Sequence, residues 1–304
     1  MKFWLGVTDN RWFDFVSSRR FGEVNFWQPS DRAPFSTLPP GTPFLFKLKR
    51  PHNHIAGGGF FSHYTSLPLS QAWDFFGQEN GAESFRHFAE LIADNAHAEA
   101  SSDRKIGCTV VSNVFYLPRE KWIPVDGLFP RPIMVGKQYE STEGPGAVLW
   151  ASIESVARAE AAALEVREDA PRYGAEFLQR ARLGQGAFRT LVLDAYQRRC
   201  ALTGESTLPV LEAAHIRPYA DEGRHVVSNG ILMRADFHKL FDLGLVTVET
   251  DYRIRISSKI RDQYFNGKAY YRLEGQELAL LPDRSGDHPD RAVLKWHNDN
   301  RFMP

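Results

Sequence analysis

The stretch LEAAHIRPYADEGRHVVSNGILMRADFHKLFDLGLV, residues 211–246, changes its hydrophobic period twice within some thirty-five residues. LPVLEAAHI reads as a strand ending at His215, RPYADEGRHVVSNG as a loop with a turn, and RADFHKLFDLG as a short helix stopped by Gly244. Strand, loop, strand and helix in so short a span leave the helix little choice but to pack on the strands before it. Four polar residues stand apart in this segment without an evident use in a core: His215, Asn229, His238 and Asp242.

Their positions suit hydrolysis. His238 and Asp242 are four apart and share a helix face, where an imidazole and a carboxylate can hold one divalent ion. That face can meet the end of the strand carrying His215, whose neutral imidazole can take a proton from an attacking water. A Lewis acid on the phosphate and a base beside the water are the two parts that metal-assisted phosphodiester hydrolysis needs. Asn229 before Gly230 is, taken alone, an ordinary turn signal.

The order His215, thirteen residues, Asn229, eight residues, His238, then Asp242 resembles the HNH or ββα-metal nucleases. YQRRCALTGE, EAAHIRP and SNGILMRADFHKLFDLG look like the form found in bacterial restriction-type HNH domains, over about Arg182 to Val248. The resemblance implies that His215 is the general base, that Asn229 orients it and holds the loop, and that His238 and Asp242 coordinate the metal. Many relatives carry Asp or His just before the base as a further ligand, and this sequence has Ala214. Glu212, on the same side of the strand as residue 214, is a candidate additional metal ligand. The metal is expected to be Mg²⁺ or Mn²⁺, with Ni²⁺ or Co²⁺ as alternatives. Other relatives staple the motif with four cysteines around zinc. Cys200 alone cannot do so, so no structural zinc is expected and packing by Phe237, Leu240 and Phe241 must serve instead. His225 and His63 read as surface or internally satisfied histidines.

A length of 304 residues accommodates two domains of ordinary size. No apolar run approaches the length needed to cross a bilayer, and charges interrupt the N-terminus before any signal-peptide core, so a cytoplasmic bacterial protein is expected. Two distant cysteines, Cys108 and Cys200, suit a reducing compartment. The 37 basic and 37 acidic residues cancel, but Leu178 to Cys200 carries Arg180, Arg182, Arg189, Arg198 and Arg199 against Asp194 alone. Between Asp251 and Arg272, six basic residues face two acidic ones. Such clusters can contact phosphates, and equally can be solvated helix faces.

The first ~135 residues hold short apolar runs divided by turn signals, such as GEVNFWQP, GTPFLFKLK, HIAGGGFFSHYTSL and IGCTVVSNVFYL. They predict a curved sheet or barrel, with helical periods only at LSQAWDFFG and SFRHFAELIADNAHAEA. After STEGPG, AVLWASIESVARAEAAALEVRED reads as a helix ending near Pro171 and Gly174, and a second helix is expected from about Ala175. The tail LPDRSGDHPDRAVLKWHNDNRFMP reads as a polar surface wrap.

TDNRWFDF, EVNFWQPS, LPPGTPFLFKLKRPHNHIAGGGFFS and AWDFFGQENG resemble the EVE group of PUA-like domains, over about Met1 to Pro130. The resemblance implies a modified base flipped into an aromatic pocket. Trp27 heads the candidates for its wall, with Trp12, Phe60, Phe61, Tyr64 and Trp73. Gly57 to Gly59 lack the register of a dinucleotide or P-loop motif, so no nucleotide cofactor is read from them. They suit either a backbone close to a ligand or a strand bulge. Lys47, Lys49, Arg50 and His52 form a small basic run.

Together the readings give an α+β chain: an N-terminal PUA-like (EVE) β-barrel with flanking helices over 1–140, a helical linker over 141–177, and a C-terminal ββα-metal HNH domain over 178–304. They imply a modification-dependent type IV-like restriction endonuclease acting as a homodimer on double-stranded DNA with 5-hydroxymethylcytosine or 5-methylcytosine, in defence against phage. Arg182, Gln185 and Arg189 would touch the DNA backbone. The competing readings are an HNH nickase or nuclease indifferent to modification, and a reader of modified nucleic acid that does not cut.

Overall fold

A computed structural model describes residues 1–31, 38–96, 104–129, 133–165, 185–221 and 223–304, with the side chains of 157–165, 185 and 219 also outside the description. The chain divides into two compact units, Met1–Gly184 and Gln185–Pro304.

The first unit is built on a mixed sheet of β1 (Lys2–Thr8), β2 (Glu23–Gln28), β3 (Pro43–Leu48), β4 (His54–Pro68), β5 (Lys105–Tyr116), β6 (Ile123–Pro124) and β7 (Gly136–Glu140). Its order is β2-β5-β4-β3-β1-β7, with β6 on β4. β1 runs parallel to β3, and the other pairs are antiparallel. The expected α+β class and large sheet are present. Closure into a barrel is not shown: among the described residues no pairing joins β2 to β7.

Fifteen-residue β4 bends by register shifts at Gly58/Phe60 and Phe61/His63. Its three glycines are there because neighbours cross too closely for a side chain. A Cβ at Gly57 would lie 2.4 Å from the Phe115 carbonyl oxygen, and one at Gly58 would lie 2.6 Å from that of Phe44. Of the two readings of Gly57 to Gly59, the bulge accounts for them. Lys47, in the basic run, is buried in β3.

Among the described residues, the helices α1 (Asn10–Arg19), α2 (Leu69–Phe76), α3 (Phe85–Ala96) and α4 (Gly144–Glu165) accompany the sheet. α2, α3 and α4 fall where the hydrophobic period predicts them. α1 does not appear in that reading. Its start is fixed by Asp9, whose carboxylate accepts from the N–H groups of Arg11 and Trp12, and it buries Trp12, Phe13 and Val16. The helix expected from Ala175 falls in its first part outside the described residues.

The second unit begins with α5 (Gln185–Ala195), followed by β8 (Leu211–His215), β9 (Gly230–Arg234) and α6 (Ala235–Asp242). β8 and β9 pair antiparallel with His215 opposite Gly230. A hairpin of β10 (Val246–Val248) and β11 (Ile254–Ile256) follows, then the short α7 (Lys259–Tyr264) and α8 (Lys268–Tyr271), and finally α9 (Arg291–Asn300). The tail, read as a polar surface wrap, contains a helix that the sequence reading did not include. Asp290 caps α9 through the N–H groups of Ala292 and Val293, and the helix buries Leu294 and His297. Among the described residues no helix is long and apolar enough to cross a membrane.

Candidate active site

α5 packs directly on the β8–β9 hairpin. A Cβ at Gly230 would lie 2.5 Å from Val192 and 2.9 Å from the Phe188 ring, so glycine is the residue that lets the two elements meet. Phe188 then lies flat against His215, with ring centroids 3.7 Å apart and planes 12° apart. This contact removes water from one face of the imidazole. Burial, reinforced by the nearby His225, His238 and Arg189, pulls the His215 pKa down to about 4. The ring is therefore neutral at neutral pH, the state that can accept a proton.

Asn229 holds the loop between the strands. It is 3% exposed. Its Oδ1 accepts from the Arg217 N–H at 2.9 Å, and its Nδ2 donates to the carbonyls of Arg217 at 2.9 Å and Arg224 at 2.8 Å. Its backbone carbonyl accepts from the Ile216 N–H at 2.9 Å, next to His215. Asn229 thus ties both ends of the loop to the strand end that carries the histidine, without a bond to the imidazole itself among the contacts described.

α6 ends in a Schellman arrangement: Leu245 N–H donates to the Leu240 carbonyl, Gly244 N–H to that of Phe241, and Gly244 has φ +69°. Phe237 and Phe241 are buried beneath it, Phe241 stacked on His297 at 3.8 Å and 10°. The neighbouring face carries His238 and Asp242. His238 Nε2 lies 3.5 Å from Asp242 Oδ2, and its Nδ1 lies 2.6 Å from Glu212 Oε2 on β8.

These distances bear on metal binding. Two donors each about 2.1 Å from one ion, at angles between octahedral and tetrahedral, are about 3.0–3.4 Å apart, so Nε2 and Oδ2 are spaced close to one chelate edge. Glu212 occupies the other ring nitrogen, where a carboxylate fixes the tautomer of a metal-binding histidine from outside the coordination sphere. As placed, Glu212 Oε2 faces Nδ1, the ring nitrogen away from the Asp242 carboxylate. Among the described residues no group of three or more His, Cys, Asp or Glu forms a cage, so a divalent ion held by His238 and Asp242 would keep positions for water and phosphate oxygens. The donor set fits a hard divalent cation.

A family model described as HNH endonuclease matches residues 200–249, the segment containing β8, β9, α6 and all four polar residues. Residues 200–249 are an HNH endonuclease domain. The chain carrying it is a nuclease, and the HNH domain implies a divalent metal. Solved structures similar to the chain include ASCH from Zymomonas mobilis, at 13% identity and TM-score 0.33 over 48% of this chain and 94% of that one. The modification-dependent TagI restriction endonuclease matches at 12% identity and TM-score 0.29, over 91% of this chain and 75% of that one. The Type IV phosphorothioation-dependent restriction endonuclease ScoMcrA matches at 12% identity and TM-score 0.19, over 78% and 51%. No curated protein matches the sequence.

Of the residues named for contact with the DNA backbone, Arg182 lies outside the described residues and Gln185 is described only as the first residue of α5. Arg189 is half-buried on α5, with its charge felt at His215. His225, read from sequence as an unremarkable histidine, stands beside His215 with Nδ1 3.2 Å from His215 Nε2. It lies on an irregular loop, where no periodicity could have marked it.

In the first unit, Trp12 and Trp27 contribute to the wall of a cavity of about 210 Å³, with Phe26 beside them and Asp9, Lys49 and Asn95 forming a polar side. Lys49 Nζ donates to Asn95 Oδ1 at 2.9 Å and to Asp9 Oδ2 at 3.3 Å. Burial pushes the Asp9 carboxyl up, but Lys49 beside it, the Trp12 N–H and Arg11 outweigh this and hold it below the usual carboxylate range. Phe60 and Phe61 are buried in β4, Tyr64 donates its hydroxyl to the Asp31 carbonyl at 2.6 Å, and Trp73 packs on Phe88. None of these four is in the cavity wall. Asp9 and Asn95 were not legible as site residues, since they come from different parts of the sequence and each also serves as a helix or loop residue.

Proposed function

We propose that this nuclease is a modification-dependent restriction endonuclease, in which the first unit holds a flipped, modified cytosine and the HNH domain hydrolyses a phosphodiester bond nearby. The observation that carries the reading is the cavity at Trp12 and Trp27. It is smaller than a typical pocket for a drug-sized ligand, matches a single base in scale, and sets aromatic rings against an ionised carboxylate and an ammonium. Rings offset the loss of stacking when a base leaves the duplex, and polar groups pair with its edge. Asp9 can accept from the exocyclic amine that cytosine offers, while Lys49 can donate to its acceptors.

At the cutting site, His215 takes a proton from the attacking water as the oxygen closes on phosphorus and the bond to the leaving oxygen breaks. Asn229 keeps the loop, and so the end of β8, in place during this step. Glu212 holds the His238 ring through Nδ1, leaving Nε2 and the Asp242 carboxylate turned to the same point. His238 Nε2 and Asp242 would hold a divalent ion there, Mg²⁺ or Mn²⁺ by donor type, which when bound would supply Lewis acidity to the phosphate. One HNH site cuts one strand, so a double-strand break calls for two chains, and the reading includes a homodimer on DNA. A cytoplasmic bacterial enzyme directed at phage with modified genomes is the setting that suits it.

The test is cleavage of matched duplexes containing cytosine, 5-methylcytosine or 5-hydroxymethylcytosine, with Mg²⁺, Mn²⁺ or chelator, beside His215→Ala. Cutting confined to modified DNA, and dependent on metal and on His215, is expected. Equal cutting of all three would discard the modified-base reader. Binding of modified DNA without cutting under any metal would discard the catalytic assignment.

A further inference from the structure

Two imidazoles and a phenyl ring meet at the end of β8. His225 and His215 are nearly perpendicular, with centroids 5.0 Å apart and planes at 79°. Phe188 covers the face of His215 and meets His225 edge-on at 5.8 Å and 68°. The backbone leading to His225 is pinned, because the Arg224 carbonyl accepts from Asn229 Nδ2. The residue that braces the loop therefore also delivers the second imidazole to the first.

The contact between His215 Nε2 and His225 Nδ1, at 3.2 Å, has two possible directions between neutral rings. If His225 Nδ1–H donates, His215 accepts on Nε2 and carries its own proton on Nδ1. Such a ring has no lone pair left for water. If His215 Nε2–H donates, its Nδ1 is bare and can take a proton.

We propose that His225 is a positioning residue for the general base: its Nδ1 accepts the Nε2 proton of His215 and fixes that ring in the tautomer with a bare Nδ1. The proposal rests on the reading of His215 as the base. When an O–H bond of water breaks and an N–H bond forms at His215 Nδ1, the Nε2 proton stays where it is. The ring is then an imidazolium whose Nε2–H bond to His225 is charge-assisted and so stronger than before. A carboxylate plays the corresponding part in hydrolase triads, holding tautomer and orientation. A neutral imidazole in that place fixes the tautomer without adding a negative charge. Phe188, lying flat on His215, keeps the ring plane from turning Nε2 away.

The test reads the tautomer directly, in the metal-free 304-residue chain labelled with ¹⁵N-histidine. Long-range ¹H–¹⁵N spectra, assigned with His215→Ala and His225→Ala, are expected to show His215 protonated on Nε2 in the wild type and a mixture of tautomers in His225→Ala. Single-turnover cleavage with saturating Mn²⁺ is expected to slow about 10- to 100-fold in His225→Ala with duplex affinity unchanged. His225→Asn, whose Oδ1 can accept the same proton, is expected to recover most of the rate and the single tautomer.

A wild-type His215 protonated on Nδ1 would overturn the proposal, and so would a His225→Ala variant with wild-type tautomer and rate. Equal slowing by Ala and Asn with no change of tautomer would reduce His225 to a packing residue. Wild-type cleavage by His215→Ala would instead remove the base assignment, while the spectra would still decide the pairing.

Discussion

Asn229 offers the sharpest energetic test, because its side chain is buried and each of its three hydrogen bonds ends on loop backbone. At a net value of about 1 kcal/mol per bond, Asn229→Ala is expected to cost about 3 kcal/mol. With a slope of about 1.5 kcal/mol per M, the urea midpoint of the second unit falls by about 2 M. Asn229→Asp carries the argument further. It keeps the acceptor for Arg217 N–H but sets an oxygen where the amide faced two carbonyl oxygens. Burial and those carbonyls raise the folded pKa of the introduced carboxyl above its unfolded value of about 3.9. A raised folded pKa means stability that is fully present below about pH 3.9 and lost as pH rises through the folded value. Asn229→Asp is therefore weaker than Asn229→Ala at pH 7, and the difference closes towards pH 4. Urea unfolding followed by circular dichroism at both pH values checks this, with amide hydrogen exchange over residues 211–234 locating the loss. A midpoint for Asn229→Ala within about 0.3 M of wild type would refute the bracing role, as would Asn229→Asp matching wild type at pH 7.

Other outcomes follow from the same geometry. Glu212→Ala is expected to weaken Mn²⁺ binding about 10- to 100-fold in titration calorimetry, since His238 loses the partner that sets its tautomer; unchanged affinity would remove Glu212 from the site. Gly230→Ala is expected to lower stability by about 1–3 kcal/mol in thermal melts and to slow cleavage, because the new Cβ displaces Phe188 from His215. His297 is 2% exposed, and burial holds its pKa down to about 4 despite the opposing Phe241 carbonyl. Because this folded value lies below about 6.5 in the unfolded chain, stability is intact above pH 6.5 and falls by about 3 kcal/mol as the pH drops to about 4. Urea midpoints of wild type and His297→Phe across that window measure the difference.

The sequence carried the cutting segment well because its signals are local: the strand, the Asn–Gly corner and the capped helix each depend on neighbours a few residues away. It carried α2, α3 and α4 for the same reason. It missed α1, although Asp9 is a readable cap, because the aromatic run after it mixes with the strand-rich pattern of the region. It missed α9 because a ten-residue helix that buries little beyond Leu294 and His297 looks like a polar tail. The roles of His225 and Glu212 depend on which atoms face one another across a loop or between a strand and a helix, and spacing does not encode that. The same holds for Asp9, Lys49 and Asn95, joined by a sheet whose order no local pattern fixes.

The position of β1 has a consequence for synthesis. This strand lies inside the sheet, hydrogen-bonded to β3 on one side and to β7 on the other. Its second partner is residues 136–140, so β1 cannot be fully paired until residue 140 has been translated. At about 5–20 residues per second, that leaves its apolar residues, Phe3 and Leu5 among them, waiting for about 7–30 s on the ribosome. During that interval the nascent chain presents an open strand edge, the kind of edge that pairs with other chains unless it is covered.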